Sequence, residues 1–295
     1  MYFPMIKLKT AVIDVGSNSV RLKIFSDGNI LFRDLISCRL SEGIENGKLA
    51  YKSINRTFEA LDKLMDKAKS EGAKTYAFAT AAVRNTTSKE YFKSEFYKRY
   101  SIELDVLSGE KEAEIGLDGA LGAKDGGVVD IGGASTEVAV KKGGKIIYSY
   151  SLPQGAVVLT DAFGKNRAGA DEFLKQQFKK YGDVPAIENK VCIGGTATSL
   201  AYIKSGLKNY DPSVVDSTVL TREYVEKLTA YFYGTDFETI SEQTGLSPSR
   251  ARVIHSGAEI LLHAFDLLKT DEITVSEADN LEGYYYGILM ENKDD

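Results

Sequence analysis

Two stretches of this chain share one pattern, and that repeat constrains the fold more than any other feature. Near the N-terminus the chain reads Ala11-Val12-Ile13-Asp14-Val15-Gly16-Ser17-Asn18-Ser19-Val20-Arg21. Further on it reads Gly126-Gly127-Val128-Val129-Asp130-Ile131-Gly132-Gly133-Ala134-Ser135-Thr136-Glu137. Each runs apolar strand, Asp, Val or Ile, Gly, two residues, Ser. The segments after the two loops repeat as well. Val20 to Phe25 alternates, Ser26-Asp27-Gly28-Asn29 turns, and Ile30 to Phe32 returns; Glu137 to Val140 runs out, Lys141-Lys142-Gly143-Gly144 turns, and Lys145 to Tyr150 returns. Asp-Gly and Gly-Gly between alternating runs are hairpin signals. Each half therefore reads strand, glycine loop, hairpin, and an internal repeat sets the architecture before any single element does.

The loops carry chemistry as well as shape. Glycine lets backbone approach a bulky anion, and successive backbone N–H groups form an anion-binding concavity. A carboxylate beside a phosphate repels it, so Asp130 and Glu137 imply a metal between them. Mg²⁺ suits that place, because it binds through one or two carboxylates plus phosphate oxygens. Taken singly, such a loop is equally compatible with a plain β-turn; the second copy favours the phosphate reading.

With 295 residues the chain suits two domains of ordinary size. A formal net charge of −5 provides no global basic field, so nucleic acid is not an expected partner and a polyanion needs a local basic cluster. The two cysteines, Cys38 and Cys192, cannot build a disulfide framework and suggest a reducing compartment. No apolar run reaches the ~18 residues of a membrane span, and Met1 to Lys9 has no signal-peptide core. The expected location is cytoplasmic.

In chain order, Ser53 is the expected cap of a helix to about Glu71, with Ile54, Phe58, Leu61 and Met65 on one face. A strand over Thr75 to Ala79 leads to Arg84. Ser108 to Glu114 opens a helix carrying Glu110, Glu112 and Glu114, where helix-end charges and a cleft-facing general base are both open readings. Ser151 to Ala156 reads as a turn. Val191 to Ala197 is a third strand-to-glycine loop, with a helix expected from Thr198 whose N-terminus suits a phosphate. Thr221 caps a further helix, and Ser247-Pro248 opens one running to about Leu268. His255, Glu259 and His263 share one face of it; with no other ligand cluster accompanying them, packing explains them better than metal.

These motifs resemble those of the exopolyphosphatase and guanosine pentaphosphate phosphohydrolase (Ppx/GppA) family. Ile13 to Leu22 resembles its first phosphate motif, Ala79 to Arg84 its Ala-Thr-x-Ala-x-Arg signature, Ser108 to Ala113 its Ser-Gly-x-Glu-Glu-Ala signature, and Asp130 to Glu137 its second phosphate motif. Ser151 to Val157, Gly194 to Ala197 and Arg250 to Ile254 also fit. Lys111 stands where the family has a glutamate, Ala134 where it has a glycine, and Leu281 where an arginine precedes Glu-Gly. The resemblance implies the short, two-domain form. It also implies two ribonuclease H-like α/β domains of the actin-like ATPase superfamily around an interdomain cleft. Residues 1–117 would form the first and 118–283 the second, with a closing helix, 284–295, packed back on the first. A homodimer is expected on the same ground.

The implied reaction is hydrolysis of a terminal phosphoanhydride in polyphosphate, pppGpp or both. By resemblance Glu112 is the base that acts on water, and Asp130 and Glu137 hold Mg²⁺ or Mn²⁺ with Asp14 in support. Ser17, Asn18, Arg21 and Arg84 would hold phosphate oxygens, together with Gly132, Gly133, Ser135 and Thr136 of one loop and Gly194, Gly195 and Thr196 of another. An ATP-dependent kinase of the same superfamily and a non-catalytic polyphosphate or alarmone sensor are the alternatives.

Overall fold

The computed structural model describes residues 9–291. The leader reading, up to residue 8, and the last residues of the closing helix, 292–295, lie outside the described residues. The chain divides into two compact units, one ending at Ser108 and one spanning Gly109–Met290.

The first unit is built on β1 (Thr10–Val15), β2 (Ser19–Ser26), β3 (Asn29–Ser37), β4 (Lys74–Ala79) and β5 (Leu104–Val106), in the order β3-β2-β1-β4-β5. The first three strands are antiparallel, and β1, β4 and β5 run parallel. The β2–β3 turn places Asp27 and Gly28 at φ 49° and 79°, the paired left-handed geometry that a two-residue hairpin demands. Helix Tyr51–Ser70 packs Ile54, Phe58, Leu61 and Leu64 inward at helical spacing. Its N-cap is Ala50, not Ser53. Ser53 lies inside the first turn, where its hydroxyl donates to the Glu42 carbonyl at 2.8 Å and accepts from Arg56 Nη2 at 3.2 Å.

The second unit repeats this plan. Its strands are β6 (Gly126–Ile131), β7 (Thr136–Lys142), β8 (Lys145–Leu152), β9 (Lys190–Ile193), β10 (Val219–Thr221) and β11 (Glu272–Val275). The sheet order is β10-β11-β9-β6-β7-β8. Starting from β8, the first five strands match the first sheet position for position, and β10 is added at the edge. The glycine loops match in detail: Gly16 N–H donates to Ser19 O, and Gly132 N–H to Ser135 O, both at 3.1 Å. This is the strand order of the ribonuclease H-like, actin-like domains that the motifs imply.

The break between units precedes helix Gly109–Leu121 rather than falling within it at 117/118. That helix packs Ala113, Leu117 and Leu121 against Val128, Ala139 and Ile193 of the second sheet. The expected long helix after Ser247-Pro248 is two pieces, Pro248–Ala251 and Ile254–Leu267, the second of them central to the core. Among the described residues no helix is long and apolar enough to cross a membrane.

Candidate active site

The antiparallel register of β6 and β7 sets Asp130 directly opposite Glu137. Their side chains therefore share one face of the sheet. The first unit uses the same cross-strand position differently, since β1 and β2 set Asp14 opposite Arg21. There the guanidinium donates to Asp14 Oδ2 from Nε at 2.9 Å and Nη2 at 2.6 Å. One copy of the repeat thus builds a salt bridge, and the other builds a carboxylate pair.

Helix Gly109–Leu121 adds a third carboxylate. Glu112, Asp130 and Glu137 are all buried, and each offers an oxygen within 4.8 Å of the others. Glu114 turns to solvent and pairs with Lys111 at 2.9 Å. Residues two apart on a helix diverge by roughly 200°, which is why one glutamate enters the cluster and the other leaves it. Donors steady the group from outside: Ser151 Oγ to Glu137 Oε1 at 2.6 Å, and Asn280 Nδ2 to Asp130 Oδ2 at 2.9 Å. Burial and the neighbouring Glu137 charge push the Tyr181 phenol well up, so it stays a neutral donor, here to Thr136 O at 2.7 Å. Three like charges this close in a poorly polarisable setting repel strongly. The donor set is hard oxygen only, and it fits a divalent cation such as Mg²⁺.

The glycine loops are shaped around this cluster. Helix Ala156–Phe163, which begins where the turn read over Ser151 to Ala156 ends, sits behind Gly132-Gly133: Ala156 N–H donates to Gly132 O at 2.9 Å and Val157 N–H to Gly133 O at 2.8 Å. Gly155 permits that approach, because a Cβ there would lie 2.5 Å from the Gly133 carbonyl carbon. Helix Gly194–Ser205 begins at the glycine pair rather than at Thr198. Gly194 has φ +86°, and a Cβ on it would lie 2.6 Å from Asp130 Oδ1. The loop thus meets the carboxylate through bare backbone at a helix N-terminus. Gly195 lies flat against the Arg250 guanidinium, and Gly257 makes room for the Thr196 side chain.

The remaining candidates are distributed between the units. Ser17, Asn18, Arg21 and Arg84 belong to the first, where Arg84 Nη1 donates to Leu107 O at 3.0 Å. Ser17 and Asn18 are buried, and their carbonyls accept from Ser41, Cys38 and Arg39 N–H groups. In the second unit Ser135 is buried, and Thr136 is fully buried with its hydroxyl committed to Gln154 O at 2.7 Å. Thr136 therefore braces the loop. Asp14 is engaged by Arg21, and the third member of the carboxylate cluster is Glu112.

Three contributors escaped the sequence reading. Ser151 and Arg250 lay in recognised motifs without an assigned role, and the cross-strand register of Ser151 with Glu137 is the signal that finds the first. Asn280 carries no motif signal at all. A second metal-capable group, Asp171, Glu259 and His263, also occurs among the described residues. Its carboxylates already hold cations, Glu259 with Arg167 at 2.9 Å and Asp171 with Lys175 at 2.6 Å. It is an ion-pair network, and Asp171 is an accompanying ligand group that the sequence reading of that helix face does not foresee.

Known proteins carry the same plan. The chain is similar to a bifunctional 3-dehydroquinate synthase/phosphatase of Fusobacterium nucleatum, with 31% identity over 92% of this chain and 45% of that protein. It is similar to a guanosine-5'-triphosphate,3'-diphosphate pyrophosphatase of Aliivibrio fischeri, with 26% identity over 97% of this chain and 60% of that protein. The chain thus spans about half the length of the curated relatives it matches. The crystal structure of the Aquifex aeolicus member of the Ppx/GppA family superposes with a TM-score of 0.80 at 28% identity, covering 97% of this chain and 98% of that one. A Cytophaga hutchinsonii exopolyphosphatase shares the fold, with a TM-score of 0.85 at 22% identity over 96% of this chain and 98% of that one. Residues 22–292 match the Ppx/GppA phosphatase family, and the chain belongs to it.

Proposed function

We propose that this protein is a metal-assisted phosphohydrolase that releases the terminal phosphate of inorganic polyphosphate, guanosine pentaphosphate or both. The observation that carries the reading is the Glu112, Asp130 and Glu137 cluster beside glycine loops. Asp130 and Glu137 would hold Mg²⁺ or Mn²⁺. When bound, the ion neutralises charge on the phosphate being transferred. Asp14 is assigned to holding Arg21. Glu112, buried and on a separate element from the other two, accepts a proton of the attacking water as the water oxygen bonds the terminal phosphorus and the bridging P–O bond breaks, the rest of the substrate leaving with the bridging oxygen as its new terminal phosphate oxygen. Backbone N–H groups of Gly133, Gly194 and Gly195 hold phosphate oxygens, Gly132 shapes its loop through its own N–H bond to Ser135 O, and Ser135 and Thr196 line the same loops with Thr136 bracing one from behind. Ser17, Asn18, Arg21 and Arg84 give the first unit its own phosphate-holding groups, two of them arginines whose planar fork matches phosphate geometry. The names of the similar guanosine pyrophosphatase and exopolyphosphatase support the substrate class.

Phosphate release from polyphosphate and from pppGpp, measured with Mg²⁺ and again with excess chelator, tests this directly. The expected result is release from at least one substrate and its loss on chelation. Tight binding of both substrates with no release would identify a sensor instead, and phosphate transfer to an added sugar would identify a kinase.

A further inference from the structure

Helix Asn280–Glu291 opens with a reciprocal cap. Asp279 Oδ1 accepts from Leu281 N–H at 3.0 Å, while Glu282 Oε2 accepts from Asp279 N–H at 2.9 Å. This capping box uses Glu282 for local structure. The same turn crosses helix Gly109–Leu121 at backbone distance. A Cβ on Gly119 would strike the Asp279 carbonyl, and a Cβ on Gly283 would strike that of Ile115. A Cβ on Gly116 would lie 2.6 Å from Asn280 Oδ1. Cap and crossing together fix Asn280, which is 3% exposed, at the first helical position.

The carboxamide is used asymmetrically. Nδ2 donates to Asp130 Oδ2 at 2.9 Å. Oδ1 fills the space over Gly116 and has no hydrogen-bond partner. A buried carbonyl left without a partner is unfavourable, so packing alone would favour an apolar side chain of this shape. Flipping the amide would set its oxygen against the Asp130 carboxylate. What the asparagine provides is one directed N–H. The opposite oxygen of Asp130 is confined by the bare Cα of Gly194.

We propose that Asn280 is a positioning residue that holds the Asp130 carboxylate in its metal-binding orientation. The inference rests on the metal assignment above. Outer partners of this kind fix ligand orientation, and their loss typically weakens metal binding roughly 10–100-fold. Asn280 does this from the position next to Leu281, the departure from the family's arginine.

Mn²⁺ titration of the full chain followed by electron paramagnetic resonance, with a thermal melt of each sample, tests the proposal. Asn280→Leu preserves shape and removes the donor. It is expected to keep a cooperative melt near the wild-type temperature and to raise the Mn²⁺ dissociation constant about tenfold. Phosphate release should fall at low Mn²⁺ and recover at high Mn²⁺, which a structural lesion would not do. Asn280→Ala, which leaves only space, gives the same reading if leucine is not accommodated. A folded variant that binds Mn²⁺ as the wild type does overturns the proposal. A wild type that binds no Mn²⁺ overturns the metal assignment itself.

Discussion

Arg21 and Glu137 stand at matching places in the repeat, and that single difference of charge decides what each loop can do. Opposite Asp14, an arginine closes the charge balance within the hairpin. Opposite Asp130, a glutamate builds a carboxylate pair instead. Asp-x-Gly-x-x-Ser is legible in the sequence at both places, but the outcome depends on the side chain across the hairpin. Glu112 and Glu114 show the same lesson on a helix, where a step of two residues separates a cluster carboxylate from a solvent-facing one. Glu114→Gln should therefore change phosphate release less than about twofold, as is usual for a surface change; steady-state rates would check this.

His255 carries a prediction about pH. Its ring is fully buried, and burial with the nearby Lys165 charge pushes the imidazole down to about 4. An unfolded histidine titrates near ~6.5. Above that value both states are neutral and the stability is fully present. As pH falls toward 4 the unfolded chain takes up the proton first, so stability is lost across that window. His255→Phe should lose less stability than the wild type between pH 7 and pH 4.5. Paired thermal melts would show it, and equal losses would contradict it.

At the scale of elements, strands and hairpins were the most readable part. Alternating runs broken by Asp27-Gly28 and Gly143-Gly144 place β2, β3, β7 and β8 because those residues accept the left-handed backbone of a two-residue hairpin. Helix Ala156–Phe163 was not legible, since Pro153, Gln154 and Gly155 read as a turn and its role is to buttress a loop distant in sequence. The start of helix Gly194–Ser205 was missed for a related reason. Glycine is a poor helix former, and here close approach to Asp130 overrides propensity. Gly194→Ala should destabilise the fold by about 1–3 kcal/mol through its left-handed backbone, and it should lower turnover through Asp130. Gly257→Ala displaces Thr196 and should raise KM more than it lowers kcat. Gly234→Ala meets nothing within 4 Å and is the neutral control. Melting temperatures and kinetics of the three together would separate strain from site damage.

At the scale of the whole molecule, duplication explains why the fold could be read from sequence while the site could be read only in part. Both copies keep the strand order and the glycine-loop hydrogen bond, so the architecture is written twice. The carboxylate cluster is written once. Its members come from helix Gly109–Leu121, β6 and β7, and its supports Ser151 and Asn280 come from β8 and the last helix. Only folding brings these together. Removal of divalent metal from the protein should abolish phosphate release, and adding Mg²⁺ back should restore it, since buried carboxylates this close need a cation to work beside phosphate.

The most direct test of a water-activating carboxylate cluster is phosphate release by Glu112→Gln under saturating Mg²⁺. The substitution keeps size and hydrogen bonding but removes the base. Turnover should fall by roughly 10²–10⁴-fold, with substrate binding retained and the melt unchanged. Turnover within about twofold of the wild type would place the base elsewhere and contradict the assignment.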